Sequence, residues 1–221
     1  MQRRRTILET VQSASIEFKH LAHKWRSDAS TLMLGWVWAG YDLLVADILS
    51  NADWHVAKDD LEREITQLLE IRIRRSMPPI TFCYIQHEPK ERETRKPAPA
   101  QPPEYDLAFV LYSNERIMWP MEAKILKTDQ QVDGYIKDIQ NEFLTCRYAP
   151  FSDEGAMLGY MLSGYPDRAL LKISQDLGVK LTGHRHFLNR DHKVSSHIRL
   201  VPKGKPYPIH FRCHHLMMPV K

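Results

Sequence analysis

The chain has 221 residues, 43% of them hydrophobic and 26% charged, with a formal net charge of +4. That length and apolar content can bury a sizeable core in one large domain, and apolar segments along the whole chain exclude a disordered protein. Three scattered cysteines, Cys83, Cys146 and Cys213, exclude a disulfide framework and form no C-x-x-C metal motif, so they read as reduced, buried thiols.

The basic start MQRRRTILET is followed by no apolar stretch of signal-peptide length, which predicts a cytoplasmic protein. Residues 1–55 read as an N-terminal cap of two helices. Ile7, Leu8, Val11, Ile16, Phe18 and Leu21 mark the first, and the run from Leu32 to Leu49 marks the second. Residues 32–50 have the length of a membrane span, but Asp42 and Asp47 interrupt them, so a packed helix is expected and no membrane partner. Trp25, Trp36, Trp38 and Trp54 fit core packing, with a protein-partner surface as the alternative.

Residues 56–221 read as the main unit. Leu61, Ile65, Leu68, Leu69 and Ile73 predict an amphipathic helix, opened by Asp59 or Asp60 and closed by Pro78-Pro79. ITFCYIQHE (80–88) reads as a strand, and the proline-rich, highly charged stretch 89–104 as a mobile loop. YDLAFVLY (105–112) and IMWPMEAKIL (117–126) form a hairpin around SNER. A helix follows, with Val132, Tyr135, Ile136, Ile139 and Phe143 behind a Thr128 or Asp129 cap. GAMLGYMLSG (155–164) then reads as a buried strand. Over residues 59–164 the order is helix, three strands, helix, strand, which predicts an α/β fold with a mixed central sheet flanked by helices.

Residues 165–221 form a basic extension with a helix near Pro166 and a terminal pair of strands, SSHIRLV and YPIHFRCHHLMM. Between residues 172 and 221, ten Lys and Arg stand against two Asp and Glu, and seven of the eleven histidines lie there. Such a segment suits a polyanion, or is a solvated basic face with no partner. For phosphate-backbone contacts the candidates are Arg185, Arg190, His192, Lys193 and His197. Zinc is the other reading of His184, His186, His214 and His215, but no Cys or carboxylate completes a ligand spacing. No P-loop is present, so the chain is not expected to hydrolyse a nucleotide.

The chemistry lies in the hairpin. A turn centred on Asn114 sets residue 106 opposite 122, and one centred on Glu115 sets it opposite 124. Either register brings Asp106 beside Glu122 and Lys124 on one face. Paired carboxylates suit a hard divalent cation, Mg²⁺ with Mn²⁺ as substitute, which polarises a phosphate while Lys124 positions water and stabilises charge. A surface hairpin with an ordinary ion pair is the bland alternative.

D-x(15)-E-x-K within that order of elements resembles the PD-(D/E)XK superfamily of restriction-endonuclease-like nucleases, over residues 59–164. The resemblance implies Asp106 and Glu122 as metal ligands and Lys124 as the catalytic lysine, with Tyr105-Asp106 standing where the family has Pro-Asp. It also implies a helix glutamate, Glu62 or Glu64. These lie about 200° apart on a helix, and Glu64, beside core Ile65, is preferred. Gln140 is the candidate from the following helix. The implied function is a metal-dependent DNA endonuclease of bacterial phage defence, working as a homodimer or within a multi-protein complex. The alternative is a non-cleaving nucleic-acid-binding or structural subunit of such a complex.

Overall fold

The computed structural model describes residues 28–47, 60–91, 93–94 and 102–220. The first expected N-terminal helix, Trp25, Trp54 and much of the 89–104 loop lie outside the described residues. The chain is α/β: a seven-stranded mixed sheet stands between two helical layers. Its elements are α1 (Asp28–Asp47), α2 (Leu61–Ser76), β1 (Cys83–His87), β2 (Leu107–Leu111), β3 (Met118–Leu126), α3 (Asp133–Asp138), β4 (Glu154–Met161), α4 (Pro166–Leu177), β5 (Thr182–Gly183), β6 (His192–Ile198) and β7 (His210–Pro219). The strand order is β1-β2-β3-β4-β7-β6-β5. β3, β4 and β7 run parallel, and the other neighbours pair antiparallel.

Burial explains the strand sequences. β4 has parallel partners on both edges and helices on both faces, so all eight of its residues are buried and no polar alternation appears. On one face, Leu61, Ile65, Leu69 and Ile73 of α2 join Met33, Leu34, Val37 and Leu44 of α1. They pack over Phe109, Trp119, Met121, Leu158 and Leu216 of the sheet. On the other, Tyr135, Ile136, Ala169, Leu170 and Ile173 from α3 and α4 cover Val110, Leu126, Met157 and Met217. α1 is long and apolar enough to cross a membrane by length and composition, yet half of that stretch, Trp36 and Trp38 included, is buried in the protein core, with Leu32 and Leu43 exposed.

The two caps expected at helix starts differ in outcome. Asp60 precedes α2 but makes no side-chain cap bond. α3 starts behind Val132, not Thr128 or Asp129, because the Asp129 carboxylate instead accepts the backbone N–H of Tyr165 (3.2 Å). The expected long helix also changes pitch: Ile139–Phe143 is a π-helical turn, closed by Leu144 N–H to Ile139 O (2.9 Å).

The carbonyls at the end of that turn are held by Arg199, which is 2% exposed. It donates to the carbonyls of Phe143 (2.9 Å), Ser152 (2.9 Å), Tyr148 (2.6 Å) and Ala149 (2.9 Å). Cys146 and Ala149 in this loop hold positive φ without being glycine, a backbone cost that these bonds offset.

α1 and α2 meet at Gly40, where an added Cβ would stand 2.7 Å from both the backbone nitrogen and Cγ1 of Ile73. Gly40→Ala is therefore expected to lower stability by roughly 1–3 kcal/mol. Gly35→Ala, on the same helix with nothing within 4 Å, should raise it by roughly 0.5–1 kcal/mol. Urea unfolding midpoints of the two variants, moving in opposite directions, check this packing.

Candidate active site

β3 outruns β2. Leu107, the first residue of β2, pairs with Met121, so residues 122–126 keep β4 on one edge and lose the ladder on the other. The amides of Ala123 and Ile125 point toward that edge and need acceptors. Ala123 N–H donates to Asp106 Oδ2 (2.7 Å) and Ile125 N–H to Glu62 Oε2 (2.7 Å).

The register, extended by one residue, sets Asp106 opposite Glu122, as a turn centred on Asn114 requires. Lys124 shares their face. Its Nζ lies 3.1 Å from Glu62 Oε1, 3.2 Å from Asp138 Oδ2 and 3.5 Å from Glu122 Oε1. Three carboxylates, from α2, β3 and α3, thus contact one ammonium, and Asp106, just ahead of β2, adds its charge to theirs.

Burial pushes the Asp106 carboxyl up, against the Ala123 amide and Lys124, which draw it back. Glu122 is pushed well above the carboxylate range, first by burial and then by the adjacent Asp106. Burial alone would lower Lys124, but Glu122, Glu62 and Asp138 outweigh it and raise the ammonium, which stays charged at neutral pH.

The donor set fits a hard divalent cation. Asp106 and Glu122 abut, and Glu122 Oε2 is buried with no hydrogen-bond partner among the described residues. A Mg²⁺-class ion takes one or two carboxylates and fills its other positions with water and substrate oxygens. Among the described residues no three His, Cys, Asp or Glu side chains form a closed metal cage, so such a site would be an open one.

The α2 carboxylate that reaches Lys124 is Glu62. Glu64, preferred from sequence, is exposed on α2 and does not reach the cluster. The 200° separation was correct, but α2 turns its Glu62 side toward the free end of β3. Gln140 is exposed within the π-helical turn. Asp138, which sequence reasoning passed over, takes the place beside Lys124.

Some cations of the basic extension are already engaged, although most of them are partly or fully exposed. Arg199 is buried, Arg212 pairs with Glu154 (2.5 Å), Lys172 with Asp176 (2.5 Å), and Arg190 donates 2.8 Å to Asp42 beside the Trp38 ring. His192 is 1% exposed and meets no solvent-borne phosphate. Its Nδ1 accepts from Trp38 Nε1–H (3.3 Å), leaving its Nε2 to donate to His214 Nδ1 (3.2 Å). Burial holds its pKa down near 2, that of His215 near 3 and that of His184 near 4. His197 is half-buried, bonded to Ser195 Oγ (2.6 Å). Arg185 is exposed, and Lys193 partly so.

No known protein family, curated protein or solved structure matches the chain significantly. Function is therefore argued from the geometry.

The raised Glu122 pKa makes a signed prediction. In the unfolded chain Glu122 loses its proton in the ordinary carboxylate range, while the folded protein retains it to higher pH. The folded state is thus penalised progressively as pH rises from that range to the raised value. Glu122→Gln should match wild type near pH 4 and exceed its Tm at pH 7 without divalent metal, by roughly 2–4 °C for about 1 kcal/mol. Thermal scans at both pH values check it.

Proposed function

We propose that the protein is a metal-dependent nuclease that hydrolyses phosphodiester bonds in DNA, on a core of the PD-(D/E)XK, restriction-endonuclease-like kind. The observation that carries this reading is the convergence of Asp106, Glu122 and Lys124 at the unpaired end of β3. The order of elements from α2 to β4 agrees with it.

When bound, a Mg²⁺ ion supplies Lewis acidity and an acidified water. Asp106, fixed by the Ala123 amide, and Glu122 on β3 would hold it. Lys124 acts through charge: an ammonium with a raised pKa is no base at neutral pH, so it orients the attacking water and stabilises negative charge growing on the phosphoryl oxygens. Glu62 and Asp138 position that ammonium, and Glu62 also fixes the strand backbone beside it. In a bacterial defence setting, a second copy or a partner subunit would direct the cut.

The test is cleavage of supercoiled plasmid and of linear single- and double-stranded DNA with Mg²⁺, Mn²⁺ or EDTA. Metal-dependent cutting is expected, reduced about 10²–10³-fold in Lys124→Ala and abolished in Asp106→Ala. Cutting that survives both changes would sink the site assignment. Salt-sensitive binding without cutting would favour a non-cleaving subunit. Separately, Glu62→Ala should lose at least about tenfold in rate while Glu64→Ala keeps the wild-type rate, which the same assay reads.

A further inference from the structure

The nuclease reading leaves open what becomes of the strand beyond the scissile bond. Two loops leave the carboxyl end of the sheet next to each other, one after β3 and one after β4, and they are fastened together. Leu162 N–H donates to Leu126 O (2.9 Å), Ser163 Oγ to Lys127 O (2.5 Å), and Tyr165 N–H to Asp129 Oδ2 (3.2 Å). Gly164 sits between them at φ +87, its absent Cβ 2.7 Å from the Asp129 carboxyl carbon, so only glycine fits.

The result is a rigid corner, and what it presents is unusual. Tyr165 is 62% exposed, its ring flanked by the Arg168 guanidinium at 4.7 Å, and Lys127 is exposed on the neighbouring loop. A large aromatic ring fixed in water, beside cations with no carboxylate ion pair among the described residues, is the composition of a stacking platform for unpaired bases. In a duplex the base faces are already covered, so a ring of this kind gains most from a single strand. Lys127 lies one residue beyond β3, and two residues of strand, about 7 Å, separate Lys124 from Leu126. Lys127 therefore follows the proposed cutting site closely along the chain, and the Asp129 carboxylate ties Tyr165 to the same loop. Asp167 lies close enough to Asp191 to raise its pKa, so the cations of this corner are confined to Arg168 and Lys127.

The geometry points to a single-stranded DNA subsite in which Tyr165 stacks a base while Arg168 and Lys127 take the flanking phosphates. This inference rests on the nuclease reading and supplies its substrate class: DNA with an unpaired flank next to the scissile phosphate.

The experiment is fluorescence anisotropy of a labelled 12-nucleotide single strand and the matching duplex, in EDTA so that nothing is cut. Tyr165→Ala is expected to weaken single-strand binding about tenfold or more, Tyr165→Phe to restore it, and duplex affinity to change less than about twofold. Arg168→Ala should lower the salt slope by about 1. Lys180→Ala and Lys203→Ala, exposed lysines elsewhere, should bind as wild type. The subsite is overturned if Tyr165→Ala binds the single strand normally, if the duplex loses as much, if the two control lysines matter equally, or if wild type does not bind the strand. Because no cleavage is read, loss of this subsite and loss of the nuclease reading are separate results. Lys124-dependent cutting with a normal Tyr165→Ala variant would remove only the subsite.

Discussion

A strand that runs past its neighbour leaves amides that must find acceptors, and this requirement organises the molecule. β3 continues five residues beyond its last pair with β2, and its two outward amides take carboxylates from different elements, Asp106 ahead of β2 and Glu62 on α2. Backbone satisfaction thus draws acidic side chains to one spot before any ligand is considered. Each carboxylate spends one oxygen on the strand and turns the other toward Lys124 or Glu122. A chain that paired β2 along the full length of β3 would have no such gathering.

The electrostatics follow from that crowding. Four acids with one lysine leave local negative charge in a poorly solvated place, and the raised pKa values of Asp106 and Glu122 express it. Lys124 is the resident counter-ion, held by three of the four. An incoming divalent cation would compete with this ammonium for Glu122. The lysine would then swing toward Glu62 and Asp138, which remain its partners on the far side. Structural ion pair and proposed catalytic group are two uses of the same charge.

The hairpin, to within two registers, the mixed sheet and the placement of Asp106 with Glu122 and Lys124 were legible because they depend on short-range pattern: turn residues, alternation and apolar runs. What escaped notice depended on rotation and on distant partners. Periodicity shows that Glu62 and Glu64 face apart, but not which side of α2 meets the end of β3. Asp138 was hidden because an expected regular helix tightens or widens only when its surroundings demand it, and the π-helical turn follows directly. In the basic extension the individual partners were hidden for another reason. Charge counted along a sequence says nothing of where Asp42, Glu154 or the carbonyls around Arg199 will lie, and those partners bury Arg199 and pair Arg190 and Arg212. His184, His192, His214 and His215 likewise belong to the buried core, where burial lowers their pKa values.

β7 follows every other described strand in the chain, yet it lies inside the sheet, between β4 and β6. During synthesis, β4 therefore waits with an open parallel edge until residues 210–219 leave the ribosome. The helices over that edge have only half a surface to settle on. β3 and its carboxylates rest directly against β4, so the acidic centre is not secured until the late strand slides in. A half-made chain thus holds the acidic residues and Lys124 but not the completed sheet that aligns them.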